Sequence, residues 1–121
     1  MAKRIPNATG IAALADWRAG TADRNALATA VRFTLAQLEA SAPGRSVEVR
    51  VPPFGAVQIL EGTSHRRGTP PAVIEMDADT WLHLATGSLS WADAVASARV
   101  DASGERANLG PLVPLQSPSA P

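Results

Sequence analysis

One loop of the chain carries side chains that could bind an anion. His65, Arg66 and Arg67 follow one another between two glycines, Gly62 and Gly68. Arginines in a loop can hold a carboxylate or a phosphate through paired N–H donors. The alternative is that these side chains are solvated, or that they pair weakly with glutamates of the neighbouring segments. Those glutamates are Glu48, Glu61 and Glu75.

The histidines and serines form no recognisable catalytic or metal-binding pattern. His65 and His83 are the two histidines, and cysteine is absent. A zinc site needs several converging ligands, and the spacing H-x-x-x-H does not occur. Ser64 precedes His65, but the G-x-S-x-G motif of serine hydrolases is missing. We therefore expect no metal, no cofactor, no catalytic residue and no enzymatic activity.

Three aspartates are explained by helix capping rather than by acid–base chemistry. Asp77 or Asp79 precedes a helical pattern that ends at Gly87, and Asp93 stands three residues after Ser90. Side chains of these types accept hydrogen bonds from the first free N–H groups of a helix. The sequence therefore predicts helices that begin near residues 78 and 91.

Composition limits the range of partners. Lysine plus arginine and aspartate plus glutamate number 11 each, so no strong field attracts nucleic acid. No segment approaches the roughly 20 apolar residues that cross a bilayer, and the start of the chain is a poor signal peptide. We expect a cytoplasmic protein with a flexible segment 1–8, one domain over 9–115 and a disordered tail over 116–121.

The apolar residues recur with a helical period in the first part of the chain and alternate strictly in the part that follows. A short helix is predicted over about 11–18, and a longer one begins near Thr21 or Asp23 and stops at Pro43. Strict alternation then predicts a strand over 46–51. Further strands are predicted over 56–61, 72–76 and 99–103, with an irregular docked segment from Leu109 to Leu115. Helices, then strands, then helices indicate an α+β domain with an antiparallel sheet.

The second half of the chain resembles the sterol carrier protein family. The resemblance rests on four segments: Val73-Ile74-Glu75-Met76-Asp77, Trp81-Leu82-His83-Leu84-Ala85-Thr86-Gly87, Trp91-Ala92-Asp93-Ala94 and Asp101-Ala102-Ser103-Gly104-Glu105. Leu60-Glu61-Gly62 also resembles the family, and the stretches 43–53 and 65–71 look closer to a bacterial branch of it found in actinobacteria. Taken together, the resemblance covers about residues 24–115. It implies an antiparallel or mixed sheet of about five strands, covered on one face by helices, with an apolar cavity between the two layers. Where that family has a long apolar C-terminal helix, this chain has a short tail broken by prolines.

The resemblance implies a binding protein for a lipid, an acyl chain or a sterol-like molecule. The residues expected to line its cavity are apolar: Val57, Ile59, Val73, Ile74, Trp81, Leu84, Trp91, Val95 and Leu112. We expect Trp81 and Trp91 to be buried anchors of the helical layer. Dense packing of the same residues, with no space left, is the alternative.

Two other functions stay open. The domain could be an interaction module that has kept the fold but not the ligand, and that contacts a partner or a second copy through its sheet or tryptophans. It also resembles the accessory domain of thiol-dependent isomerases, whose catalytic metal lies on another domain. No nucleic acid and no integral membrane contact are expected.

Overall fold

The structure is a computed structural model and describes residues 4–62 and 72–116. Its elements in chain order are α1 Asn7–Ala19, α2 Arg24–Ser41, β1 Val47–Val51, β2 Gly55–Ile59, β3 Ala72–Glu75, α3 Ala78–Thr86, α4 Trp91–Ala96 and β4 Asp101–Ser103. The predicted anion cluster, His65, Arg66 and Arg67, lies outside the described residues. Within them, no helix is both long and apolar enough to cross a membrane.

The predicted caps determine where the helices begin. Asp23 accepts from the Ala26 N–H at the start of α2, and Asp77 accepts from the Thr80 N–H at the start of α3. Gly87 ends α3 with a φ of 90°, a left-handed conformation that glycine adopts without steric cost. The first helix begins at Asn7, four residues before the predicted start, because Pro6 and Asn7 extend the helical turn ahead of Ile11. The predicted limits of the domain stay a prediction.

The sheet has four strands in the order β2-β1-β3-β4 among the described residues. The sheet is mixed, one of the two forms that the resemblance implied, because β3 passes β2 and pairs with β1. Since β1 and β3 both run opposite to β2, their pairing is parallel, and Val49 lies beside Ile74. After β4 the chain does not return to the sheet: the Leu115 N–H donates to the Ala85 carbonyl of α3 at 2.9 Å. Residues 4–62 and 72–116 thus contain four strands, one fewer than the resemblance implied.

The core lies between the inner face of the sheet and the helices. Val47, Val49 and Val51 are fully buried, while Glu48 and Arg50 alternate with them on the outer face. On α2, apolar residues at helical spacing form one stripe toward the sheet: Val31, Leu35 and Leu38 are buried and Leu27 is partly buried. The helices therefore cover one face of the sheet, and the other face is polar.

Two apolar residues expected to face the helices lie elsewhere. Val73 is on the outer face, because its neighbour Ile74 points inward beside Val49 and alternation turns Val73 the other way. Val95 is 50% exposed, because α4 has only six residues and buries only Ala94. Leu109 is fully buried and residues 109–115 form turns, as predicted for a docked irregular segment.

Candidate functional site

A groove of about 1030 Å³ runs along the edge of the domain, between α2, the edge strand β2 and the segment that precedes α1. Its apolar walls are formed mainly by side chains of α2 and by the start of β2. The residues that line it are Arg4, Ile5, Asn7, Thr29, Arg32, Phe33, Leu35, Ala36, Gln37, Glu39, Ala40, Phe54, Gly55, Ala56 and Val57.

The spacing of residues on α2 produces this groove. Arg32, Ala36 and Ala40 recur every four residues and therefore lie on one side of the helix. Ala36 and Ala40 are too short to reach β2, so the space beside them stays open. Gly55 of β2, which lies next to Leu35 and Arg32, contributes no side chain at all.

Phe33 forms a wall of the groove and is held there by α1. A Cβ on Gly10 would lie only 2.2 Å from the Phe33 ring, so the ring packs directly against the backbone of Gly10. Phe33 is 4% exposed, and its ring fills the contact between α1, α2 and the groove. The first helix therefore fixes one wall of the groove.

Two arginines meet Phe54 at one end of the groove. The Arg32 Nε–H donates to the Phe54 carbonyl at 2.8 Å. The Arg24 guanidinium lies over the Phe54 ring, 5.4 Å from its centroid, which is a favourable cation–π distance. Two positively charged side chains therefore lie next to Phe54, beside an apolar surface.

The residues predicted to line one cavity lie in different parts of the structure. Val57 lines the groove. Ile59, Ile74, Trp81 and Leu84 are fully buried in the common core. The others lie away from the groove: Val73 is on the outer sheet face, Trp91 and Leu112 are partly buried beside the core, and Val95 is exposed.

The interior around Trp81 is filled by side chains. Trp81 has no exposed surface, and its Nε1–H donates to the Thr34 hydroxyl of α2 at 2.8 Å. Besides the groove along α2, one groove lies between α1 and α3 and another lies beside β4. Neither Trp81 nor Trp91 lines any of these three grooves. Trp91 is only partly buried, so the expectation that it is a buried anchor is wrong, because α4 lies at the margin of the helical layer.

A second polar cluster joins α1 to α3. His83 Nε2 lies 3.5 Å from Asp79 Oδ2, and His83 Nδ1 lies 2.5 Å from Ser88 Oγ. The Trp17 Nε1–H also donates to Asp79 at 3.2 Å, and the Trp17 ring meets the imidazole edge-on at 4.8 Å. Arg99 adds a contact to the same carboxylate at 3.7 Å. Asp79 therefore links three parts of the helical layer.

Ser88, His83 and Asp79 contact one another in the order of the catalytic triad of serine hydrolases. The backbone beside them, however, does not supply the N–H groups of an oxyanion hole. The N–H groups of Gly87, Ser88 and Leu89 all donate to the His83 carbonyl, at 3.0, 3.0 and 3.2 Å. They are therefore not free to stabilise an oxyanion beside Ser88. Among the described residues, no three His, Cys, Asp or Glu side chains converge as metal ligands either. The cluster is best explained as a contact that fixes α1 on α3.

The outer face of the sheet is a ladder of charges. Arg50 bonds to Glu48 and lies 4.0 Å from Glu75 on the adjacent strand, while Gln58 donates to Glu48 at 3.5 Å. The hydrogen bond from Arg50 lowers the pKa of Glu48. Among the described residues, Glu48 and Glu75 thus share Arg50 as their basic partner on the outer face of the sheet.

Sequence reasoning missed the groove although two signals for it were present. The apolar stripe of α2 accounts for its core face, but Phe33, Ala36 and Ala40 add a second apolar strip beside it. Phe54 directly follows two prolines, where an aromatic residue has no role in the predicted strands. Joining these two signals requires the position of α2 relative to β2, which periodicity does not provide.

Comparison with known proteins places these features in one family. Comparison with curated proteins finds no match. A family model described as "Bacterial SCP ortholog" matches residues 23–115, which span α2 to the docked tail and leave α1 outside the matched segment. The mixed sheet with helices on one face agrees with a sterol carrier fold. The chain belongs to the bacterial sterol carrier protein family.

Proposed function

We propose that this protein is a non-catalytic carrier that binds the apolar chain of a lipid or another amphiphile in the α2–β2 groove. The observation that carries the proposal is the groove itself, whose walls include the apolar side chains of Ile5, Phe33, Phe54 and Val57. Pockets for small molecules are typically concave and mostly apolar, with a few polar groups that fix orientation. Membership of the sterol carrier family supports the same class of function.

The proposed location differs from the cavity that the resemblance implied. The space between the sheet and α3 is occupied by Ile59, Ile74, Trp81 and Leu84, which are fully buried. Of the residues expected to line that cavity, Val57 lies in the groove. A bound chain would thus lie at the open edge of the two layers, beside β2, and would displace water from partly exposed apolar side chains.

The test is a steric block of the groove. Ala36 is exposed on the groove side of α2, so Ala36→Phe should fill the space without disturbing the core. We expect this substitution to weaken binding of a fluorescent long-chain fatty acid at least tenfold, measured by fluorescence titration. The matched control is Ala12→Phe, at an exposed position of α1 that does not line the groove.

The control makes the outcome specific. Both substitutions place phenylalanine on an exposed helix surface and carry the same cost in helix propensity. If Ala36→Phe binds the fatty acid as tightly as Ala12→Phe does, the groove is not the binding site. If the unaltered protein does not bind the probe at micromolar concentration, the carrier function itself is refuted.

One observation favours a second candidate, an interaction module. Among the described residues Val95 is the one large hydrophobic side chain that is classed as exposed, and it lies on the short helix α4. A protein partner or a second copy of the chain could cover it. Sedimentation equilibrium of the unaltered protein and of Val95→Asp distinguishes this candidate, since only an interface at α4 would dissociate upon substitution.

A further inference from the structure

We infer that the groove selects ligands with an ionised carboxylate, which Arg32 and Arg24 bind beside Phe54. The inference rests on the proposed function and adds to it the chemical class of the ligand's polar end. The apolar part of the ligand would lie along α2, and its charged end would lie where the chain turns from β1 into β2. A neutral lipid of the same length would lack the second of these two contacts.

The first argument is that Arg32 is held in place before any ligand arrives. Its Nε–H is bound to the Phe54 carbonyl at 2.8 Å, which restrains the orientation of the guanidinium plane. No other hydrogen bond or ion pair of Arg32 occurs among the described residues, so the N–H groups of its two terminal nitrogens are available. A planar pair of N–H donors matches the two oxygens of a carboxylate.

The second argument is the distribution of charge. Arg24 lies over the ring of Phe54, and Arg32 donates to the carbonyl of the same residue, so both guanidinium groups approach Phe54. Within residues 4–62 and 72–116 no carboxylate lies within 4 Å of either arginine, whereas Arg50 and Arg99 do have acidic partners. An anion from outside the chain would supply the missing counter-charge beside Phe54.

The groove also has a direction. Its acidic lining residue is Glu39, which follows Arg32 by seven residues on α2, or about 10 Å along the helix axis, with Ala36 between them. The other cation of the lining, Arg4, belongs to the segment before α1. Along α2, an amphiphile with one negative end would therefore place its charge at Arg32, away from Glu39, and its chain toward Ala40.

The backbone at this end favours a carboxylate over a phosphate group. Phosphate sites usually add several free backbone N–H groups to the arginines. Here the Phe54 N–H is already bonded to the Val51 carbonyl at 2.9 Å. One anchored guanidinium with a second cation nearby fits a singly charged carboxylate.

The experiment compares three probes that share one chain: hexadecanoic acid, hexadecanol and hexadecyl phosphate. Each displaces a neutral tail-labelled fluorescent probe from the full chain at low salt. We expect hexadecanoic acid to bind about tenfold or more tightly than hexadecanol, as one charge-assisted hydrogen-bonded contact would give. We expect Arg32→Gln to abolish that preference, mainly through a loss of affinity for hexadecanoic acid.

Two further variants keep the result interpretable. Arg24→Gln should reduce the preference for the acid partially, because Arg24 contributes charge without the fixed geometry of Arg32. Arg18→Gln removes an exposed arginine of α1 that does not line the groove and should change nothing. Should Arg32→Gln unfold the protein, Arg32→Lys provides the test, since it retains the charge and loses the paired donors, and we expect a reduced preference.

Each outcome bears on one of the two proposals. If the acid and the alcohol bind equally, and Arg32→Gln changes neither, the carboxylate site is refuted while binding in the groove stands. If hexadecyl phosphate binds more tightly than the acid, the inferred class of ligand is wrong. If none of the three probes displaces the fluorescent one, the proposed carrier function fails together with the inference.

Discussion

Trp81 and Thr34 form the central polar contact of an otherwise apolar core. Both side chains are essentially without exposed surface, and the indole N–H donates to the Thr34 hydroxyl at 2.8 Å. The hydroxyl in turn donates to the Ala30 carbonyl at 2.8 Å. The hydrogen bond from Trp81 to Thr34 thereby joins α3 to α2 and gives the buried indole N–H an acceptor.

Thr34→Val should therefore be more costly than its nearly unchanged shape suggests. We expect a loss of about 1–3 kcal/mol in the free energy of unfolding, because the Trp81 N–H would stay buried without an acceptor. Urea denaturation measures it. The control is Thr86→Val, whose hydroxyl only donates to the Leu82 carbonyl and should cost less than about 1 kcal/mol. Equal losses for the two variants would show that the Trp81 contact contributes nothing.

At the scale of single residues, burial was predictable where a strict period was present. The valines of β1 and the stripe of α2 lie where alternation and the helical repeat place them. Trp91 and Val95 were misplaced because a helix as short as α4 has too few residues to define a face. Size and apolarity alone do not determine burial at the margin of a domain.

At the scale of elements, the start of α3 connects the sheet to the helical layer. Asp77 follows β3 by two residues and caps α3 through the Thr80 N–H at 2.8 Å. That backbone hydrogen bond, with a smaller contribution from the Thr80 hydroxyl, lowers the pKa of Asp77. A carboxyl group with a lowered pKa stabilises the folded state above its ordinary pKa, and the contribution disappears as the pH falls through the folded pKa.

Asp77→Ala should cost about 1 kcal/mol at neutral pH, the usual effect of losing a cap. Asp77→Asn should retain most of the stability at neutral pH, because asparagine also caps, but it removes the ionisable group. We therefore expect the difference between the unaltered protein and Asp77→Asn to shrink below about pH 4. Glu48 titrates in the same acidic range, and taking the difference between the two proteins cancels its contribution. A difference that stays constant down to pH 2 would contradict the assignment.

At the scale of the whole molecule, the sequence was sufficient for the α+β class and for most element boundaries. The change from a helical period to strict alternation near residue 46 is visible without a structure. The parallel pairing of β1 with β3 was not predictable, because it depends on which edge of the hairpin the third strand joins. The groove was missed for a related reason, since its walls come from α2, Phe54 and the segment before α1.

The contact between Gly10 of α1 and Phe33 of α2 supports one wall of the groove, and a substitution at Gly10 tests this support. Gly10→Ala would bring a methyl group into the Phe33 ring, and we expect destabilisation of about 1–3 kcal/mol from overpacking. Because Phe33 also forms a groove wall, fatty-acid affinity should change in the same variant. Adding Phe33→Leu should recover part of the lost stability, as urea denaturation of the single and double variants would reveal. Additive losses would show that the two residues do not press on each other.

The position of α1 has a consequence for divergence among related proteins. The family match begins at residue 23, yet Arg4, Ile5 and Asn7 line the groove and Gly10 supports its wall. Two homologues could therefore be identical from α2 onward and still differ in cargo, through a single bulkier residue near the amino terminus. Ligand preference in such proteins could evolve in a segment that alignment of the shared domain never compares.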